Sequence, residues 1–301
     1  MRFDGRTVVV TGGGRGLGRE YALLVGALGA RVVVNDLGCA VDGSGGSAHA
    51  AESTVEEINS GGGLAMTNSD DVSTQHGAHN LISQTLEEFG QIDAVINNAG
   101  ILTTAPMAEL TEGDFQRQFQ THLFGTFNVT RAAWAELTAH SGNVVNIVSH
   151  SVLGHRSMLA YSSAKGALIG FTRSLAEEGR RVDVAVNGFL PTAGTRMAGT
   201  GSTSERARDW FEERLTPDQC AATVAFLAHH ECPLRGELLT AGGGRVARVF
   251  IAETRGIVMP GATPDDIDEN LNQITEEADY YVFASLDAAM RELRDVLQSE
   301  T

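Results

Sequence analysis

Short, nearly unbroken runs of apolar and β-branched residues constrain this chain more than any other feature. They fall at Thr7–Thr11, Arg31–Asp36, Ala65–Thr67, Asp93–Asn97, Asn143–Val148, Val182–Asn187 and Leu238–Ala241. Most do not alternate apolar with polar, so they predict strands buried on both faces, as in a parallel sheet covered by helices. Helical periodicity occupies the intervals: Gly16–Leu28, Ala48–Asn59, Gln75–Phe89, Thr111–Ala139 and Ser157–Glu178, with further helices around Glu205–Glu213 and Pro217–Ala228. Strands alternating with helices of this length predict an α/β fold: a doubly wound, Rossmann-like parallel sheet with helices on both faces. Residues 1–244 form that domain. Beyond Gly244 the composition shifts, and 245–301 reads as a C-terminal extension that covers the domain or a partner subunit. Within it, Arg245–Val258 predicts a hairpin. Thr263-Pro264 predicts an N-cap with proline at N1, opening a helix through about Glu277, and Ser285–Gln298 predicts a last helix.

Charge and cysteine usage narrow the partners. The net charge of −16 repels nucleic-acid backbones and anionic membranes, and Arg180-Arg181 is no more than a basic dipeptide. No apolar run reaches the ~18 residues of a membrane helix. Met1-Arg2-Phe3-Asp4-Gly5 carries no apolar leader, so a cytoplasmic location is expected, with a small-molecule substrate and neither nucleic acid nor membrane as partner. Cys39, Cys220 and Cys232 are scattered, and no Cys/His spacing points to a metal. Of the 22 basic residues, 21 are arginine; the one lysine is Lys165. A lone lysine in so biased a chain marks a place where a compact ammonium is needed, if its neighbours give it a task.

Thr11-Gly12-Gly13-Gly14-Arg15-Gly16-Leu17-Gly18 lies between a strand and a helix. Gly12 permits the tight turn, Gly16 lets the backbone approach a pyrophosphate, and Gly18 lets helix and strand pack closely. The phosphate then rests on the helix N-terminus. Asp36 ends the second strand, 18 residues after Gly18. A carboxylate there accepts from both adenosine ribose hydroxyls and repels a 2′-phosphate, which favours NAD over NADP; Arg15 is the counter-argument. Asp71-Val72, after the third strand, can hold the adenine edge or merely start a helix.

Tyr161-Ser162-Ser163-Ala164-Lys165 opens a predicted helix, so phenol and ammonium share one face. Tyrosine, with a pKa near 10, is a poor base at neutral pH. A unit charge at ~5 Å and an effective dielectric of ~20 lowers that value by roughly 2 units. With a nicotinamide charge added, Tyr161 is expected to approach neutrality and exchange a proton with a substrate hydroxyl. Ser149, just past the Asn143–Val148 strand, can bind the substrate oxygen; Ser151 is a rival, and His150 and His155 read as loop or substrate-contact residues. No Gly-x-Ser-x-Gly pentapeptide supports a serine hydrolase.

Gly12-x-x-x-Gly16-x-Gly18, Asn97-Asn98-Ala99-Gly100, Ser149, Tyr161-x-x-x-Lys165 and Asn187…Pro191 together resemble the short-chain dehydrogenase/reductase family over residues 1–245. The resemblance implies that Asn98, Ala99 and Gly100 support the sheet and the adenosine pocket. It implies that Lys165 also holds the nicotinamide ribose and that Pro191, Thr192, Ala193 and Thr195 lie at the carboxamide. It implies His122 in place of a helix asparagine that anchors a proton-relay water, with a structural histidine equally open. Ser149 is twelve residues before Tyr161 where the family has thirteen, and Thr192 stands where glycine is common. Asn35-Asp36-Leu37-Gly38 with the Gly/Ser loop after it, Thr130-Arg131-Ala132-Ala133-Trp134, Ala193-Gly194-Thr195-Arg196-Met197 and the tail resemble the family's (3R)-hydroxyacyl-CoA dehydrogenase branch. That branch implies NAD, a 3-hydroxyacyl thioester, and a homodimer or homotetramer built through the long helices. A CoA thioester needs positive charge at the mouth, for which Arg196, Arg206 and Arg208 are candidates. Two alternatives stay open: the same chemistry on a hydroxysteroid or other hydrophobic ketone, and a nucleotide-binding regulator without catalysis.

Overall fold

The computed structural model describes residues 1–47, 49–194, 209 and 213–299. An eight-stranded sheet runs in the order β3-β2-β1-β4-β5-β6-β7-β8. Its strands are β1 (Thr7–Thr11), β2 (Arg31–Asn35), β3 (Leu64–Asn68), β4 (Ala94–Asn97), β5 (Asn143–Ile147), β6 (Ala185–Pro191), β7 (Leu238–Gly242) and β8 (Arg245–Val249). All pairs from β3 across to β7 are parallel. The strand order reverses between β1 and β4, the place where doubly wound sheets open a crevice at their carboxyl ends.

Alternate residues of each strand feed opposite layers. Val8, Val10, Val32, Val34 and Ile96 pack with Tyr21 and Val25 of α1 (Gly16–Ala27), Ile58 of α2 (His49–Ser60) and Val224 of the helix Asp218–Ala228. Val9, Val33, Val95 and Val144 pack with Leu81 of α3 (Gln75–Phe89), Leu137 of α5 (Gly125–Ala139) and Ala176 of α6 (Leu159–Gly179). The strands are unbroken apolar runs because both faces are covered.

Several elements differ from the sequence reading, among them the helix expected through about Glu277, which stops at Glu269 and resumes only at Leu271–Ile274. The stretch 111–139 is not one regular helix: α4 (Glu112–Phe119) passes through a π-helical turn, Gln120–Phe124, into α5. The sixth strand begins at Ala185, because Asp183 takes a left-handed conformation (φ 57°) in the turn before it, and it runs on through Gly188 to Pro191. No hairpin forms within 245–258. Gly243 and Gly244, both at positive φ, send β8 onto the sheet edge beside β7. Glu253–Thr254 pairs instead with Tyr280–Tyr281.

The chain divides into two compact units, Met1–Arg248 and Val249–Thr301. The second holds that two-stranded pair, the helix Pro264–Glu269 with a Thr263/Asp266 capping box, a short turn of helix at Leu271–Ile274, and the helix Leu286–Ser299. Arg255 bonds Asp279 and lies 3.8 Å over the Tyr281 ring. Among the described residues, no helix is long and apolar enough to cross a membrane, and no group of three His, Cys, Asp or Glu side chains is placed to hold a metal.

Candidate active site

A cleft of about 920 Å³ opens where the strand order reverses. Gly12 turns the chain out of β1 at φ 62°. A Cβ on Gly18 would stand 2.1 Å from the Gly12 carbonyl oxygen and 2.4 Å from Asn98 Nδ2, so α1 can begin this close to β1 only with glycine there. Gly16 is the opposite case: φ is 52°, and a Cβ would meet nothing within 4 Å. Its open side belongs to the cleft, which Arg15 and Leu17 also line. The first turn of α1 leaves backbone N–H groups free, and their partial positive charge suits an anion.

Asp36 stands just past β2 in the cleft wall. Its Oδ2 accepts from Gly14 N–H at 2.8 Å and its Oδ1 from Gly38 N–H at 2.6 Å. A carboxylate has about four acceptor positions, so Asp36 retains capacity toward the cleft. Asp71 accepts from Ser73 N–H in the turn before α3, and Asp71 and Val72 both line the cleft. Across it, Asn98 donates to the carbonyls of Thr11 and Gly12 at 3.0 and 2.9 Å, and Thr11 Oγ1 accepts from the N–H groups of Asn98 and Ala99. Thr11 is thus the clamp of the Asn98–Gly100 segment, a role unread in the sequence although it directly precedes the first glycine. Pro191 ends β6, Thr192 donates its N–H to Ala241 at 2.9 Å, Ala193 follows, and Gly194 reaches the cleft wall. Thr195, Arg196, Arg206 and Arg208 lie outside the described residues, as does most of the helix expected at Glu205–Glu213.

Tyr161 and Lys165 sit one turn apart on α6. Lys165 is 4% exposed; its Nζ donates to the Ile147 carbonyl at 2.6 Å and stands 5.9 Å from the centre of the Tyr161 ring. Burial lowers the Lys165 pKa from 10.5 to about 7. Burial likewise raises the Tyr161 phenol, while the hydrogen bond with Ser149 draws it down. Burial thus opposes the lowering expected from the ammonium and a nicotinamide charge together. Lys165 is itself desolvated enough to lose much of its charge near neutral pH, and the phenol is buried beside it.

Ser149 is the serine that meets the phenol. It caps the turn His150–Leu153, its Oγ accepting from Ser151 N–H at 3.1 Å. Ser151 Oγ is buried and makes no hydrogen bond among the described residues. His150 Nδ1 lies 3.3 Å from Thr192 Oγ1, while His155 is exposed and bonds the Arg156 carbonyl. His122 is fully buried in the π-helical turn, edge-on to Tyr161 with ring centres 5.2 Å apart. Its Nε2 lies 2.8 Å from the Ile101 carbonyl. Burial first, and the Lys165 charge second, push its pKa well down, so the imidazole is neutral. Gly100 makes room for it: a Cβ there would fall 2.4 Å from His122 Cε1. Buried Gln118, one turn earlier, reaches His122 Nε2 and the Ile101 carbonyl once its amide is oriented to accept from Thr103 N–H. Sequence reasoning missed Gln118; its i,i+4 spacing to His122 was the available signal.

The short chain dehydrogenase family model matches residues 6–206. The chain belongs to the short chain dehydrogenase family. A short-chain type dehydrogenase/reductase of Mycobacterium tuberculosis is 41% identical over 248 residues, 82% of this chain and 85% of the relative. The full-length peroxisomal multifunctional enzyme type 2 of Drosophila melanogaster superposes with a TM-score of 0.81 at 28% identity, covering 99% of this chain and 50% of that one. Curated peroxisomal multifunctional relatives are matched over 31% to 61% of their length. A 7α-hydroxysteroid dehydrogenase, solved with NADH and 7-oxo glycochenodeoxycholic acid, superposes with a TM-score of 0.72 at 26% identity, covering 81% of this chain and 95% of that one. The fold is that of a short-chain dehydrogenase.

Proposed function

We propose that this short-chain dehydrogenase is an NAD-dependent oxidoreductase interconverting a secondary hydroxyl and a ketone, with a 3-hydroxyacyl thioester as substrate. The observation that carries the chemistry is the packing of Ser149 and buried Lys165 around the Tyr161 phenol. The cleft fits a dinucleotide: Gly16 leaves open space where a pyrophosphate would meet the first turn of α1, and the Asp36 carboxylate faces the ribose position. That carboxylate supports NAD over NADP, since a 2′-phosphate would meet its negative charge. Gly12, Asn98, Ala99 and Gly100 form the wall, and Lys165, Pro191 and Thr192 would hold the nicotinamide half. A bound nicotinamide supplies the hydride acceptor or donor.

In the oxidising direction, the substrate hydroxyl gives its proton to the Tyr161 oxygen as its carbon loses hydride; in the reducing direction Tyr161 returns the proton. Ser149 donates a hydrogen bond to the substrate oxygen and holds it against the phenol. Lys165, when charged, stabilises the phenolate form of Tyr161 at short range in a low-dielectric pocket. His122 packs edge-on against the ring and fixes its tilt.

Support for a thioester comes from the likeness to the multifunctional enzymes, which covers the C-terminal unit as well as the sheet domain. The second reading, a hydroxysteroid, draws on the likeness to the 7α-hydroxysteroid dehydrogenase. Exposed Phe124 on the π-helical turn and Leu159 at the start of α6 support a homodimer or homotetramer. The test follows NADH absorbance with graded 3-hydroxyacyl thioesters, steroid alcohols and simple secondary alcohols. Turnover with the thioesters and none with steroids is expected; the reverse order selects the steroid, and NAD binding without turnover of any alcohol contradicts both.

A further inference from the structure

Residues 37–47 follow Asp36 as a loop with its own hydrogen-bonded shape. Ser47 N–H donates to the Leu37 carbonyl at 2.9 Å and closes the base, where a Cβ on Gly38 would fall 1.8 Å from the Ser47 oxygen. Ala40 N–H to Ser44 O at 2.8 Å and Gly43 N–H to Ala40 O at 3.0 Å fold the tip. The loop leaves the β2 side of the sheet and reaches the β4 side. Leu102 N–H donates to the Val41 carbonyl at 2.8 Å. Gly43, at φ 87°, lies so close to Ile101 that a Cβ would stand 3.1 Å from its Cγ2. Because β2 and β4 flank β1, the loop passes over the end of β1 where the glycine turn begins. Cys39, Val41 and Gly43 line the same cleft as Gly16 and Asp36.

We propose that residues 37–47 are a strap holding the adenosine end of the dinucleotide in the cleft, with the Leu102–Val41 hydrogen bond as its catch. This rests on the cofactor reading above and adds to it the segment that controls release. The strap starts at the carboxylate assigned to the ribose, since Asp36 Oδ1 holds its Gly38 N–H. The catch lies beside a contact to His122, since the preceding carbonyl, of Ile101, stands 2.8 Å from His122 Nε2. Cofactor can leave past the adenosine end only when the catch opens, so strap and catch set the release rate.

Two variants test this. One joins Gly38 directly to Gly46 and keeps the Leu37–Ser47 base. The other is Gly43→Val, a branched side chain at a left-handed position facing Ile101. NADH release, read as fluorescence change in stopped flow, is expected to be about tenfold faster in both, the equivalent of losing about one net hydrogen bond. Release at the wild-type rate in both overturns the strap. On the unaltered protein, exchange of the Leu102 amide hydrogen is expected to slow about tenfold when NADH is bound; an unchanged rate also overturns it. A wild-type protein that binds no NADH overturns the cofactor reading instead, which separates the two failures.

Discussion

Lys165 Nζ stands 5.9 Å from the centre of the Tyr161 ring and donates to the carbonyl of Ile147, a residue of the strand that leads to Ser149. Burial pushes the two groups in opposite directions on the pH scale, the phenol up and the ammonium down. Each is costly to charge where it is buried.

Lys165 makes stability depend on pH. Its folded pKa of about 7 lies below its unfolded value, so the unfolded chain binds more protons between those values. Stability then rises with pH over that window; the burial penalty is complete below about pH 7 and gone above the unfolded pKa. Denaturant titrations of the wild type and Lys165→Met from pH 7 to 10 should diverge, the wild type gaining roughly 3–4 kcal/mol relative to the variant. Parallel curves would refute a buried, depressed Lys165.

The second and third motif glycines should fail differently. Gly18→Ala drives a methyl into the Gly12 carbonyl, so a loss of at least 1–3 kcal/mol of stability is expected in thermal unfolding. Gly16→Ala meets no neighbour and should cost only about 1 kcal/mol for its backbone conformation, yet weaken NADH binding at least tenfold by titration.

Asp36→Ser removes the charge that disfavours a 2′-phosphate. The ratio of NADH to NADPH affinity, measured by fluorescence titration, should fall by about tenfold or more. Because Asp36 also holds the Gly14 and Gly38 amides, the variant should lose stability too, by about 1–3 kcal/mol.

A thioester substrate places phosphates at the cleft mouth. Reversing charge at Arg196, Arg206 and Arg208 should raise KM for an acyl-CoA and leave KM for a neutral ketone unchanged. Equal effects on both would remove these residues from the binding account.

What the sequence disclosed followed burial. β1 and α3 stand at the predicted limits, because a run buried on both faces and an amphipathic period both leave a direct mark on residue type. That Tyr161, Lys165 and Ser149 come together is legible as side-chain chemistry at fixed helical or strand-end spacing. The partners that are main-chain atoms left no mark. Nothing about isoleucine announces that the Ile147 carbonyl holds Lys165 or that the Ile101 carbonyl meets His122. The π-helical turn at Gln120–Phe124 was invisible because one wider turn barely disturbs the apolar period on either side. Val182 and Val184 read as strand ahead of β6, while Gly188 inside it does not. The phenol was expected to be acidic because sequence supplies the partner charge but not the depth at which both groups are buried.

The central claim is that Tyr161 exchanges the substrate proton. The direct measurement is Tyr161→Phe, with NADH affinity taken by fluorescence and single-turnover hydride transfer followed on the thioester or alcohol that the wild type uses best. The account predicts NADH affinity within about twofold of wild type and transfer slowed by at least about 10³-fold, within the range for loss of a general acid–base group. Hydride transfer at the wild-type rate in the variant would contradict it.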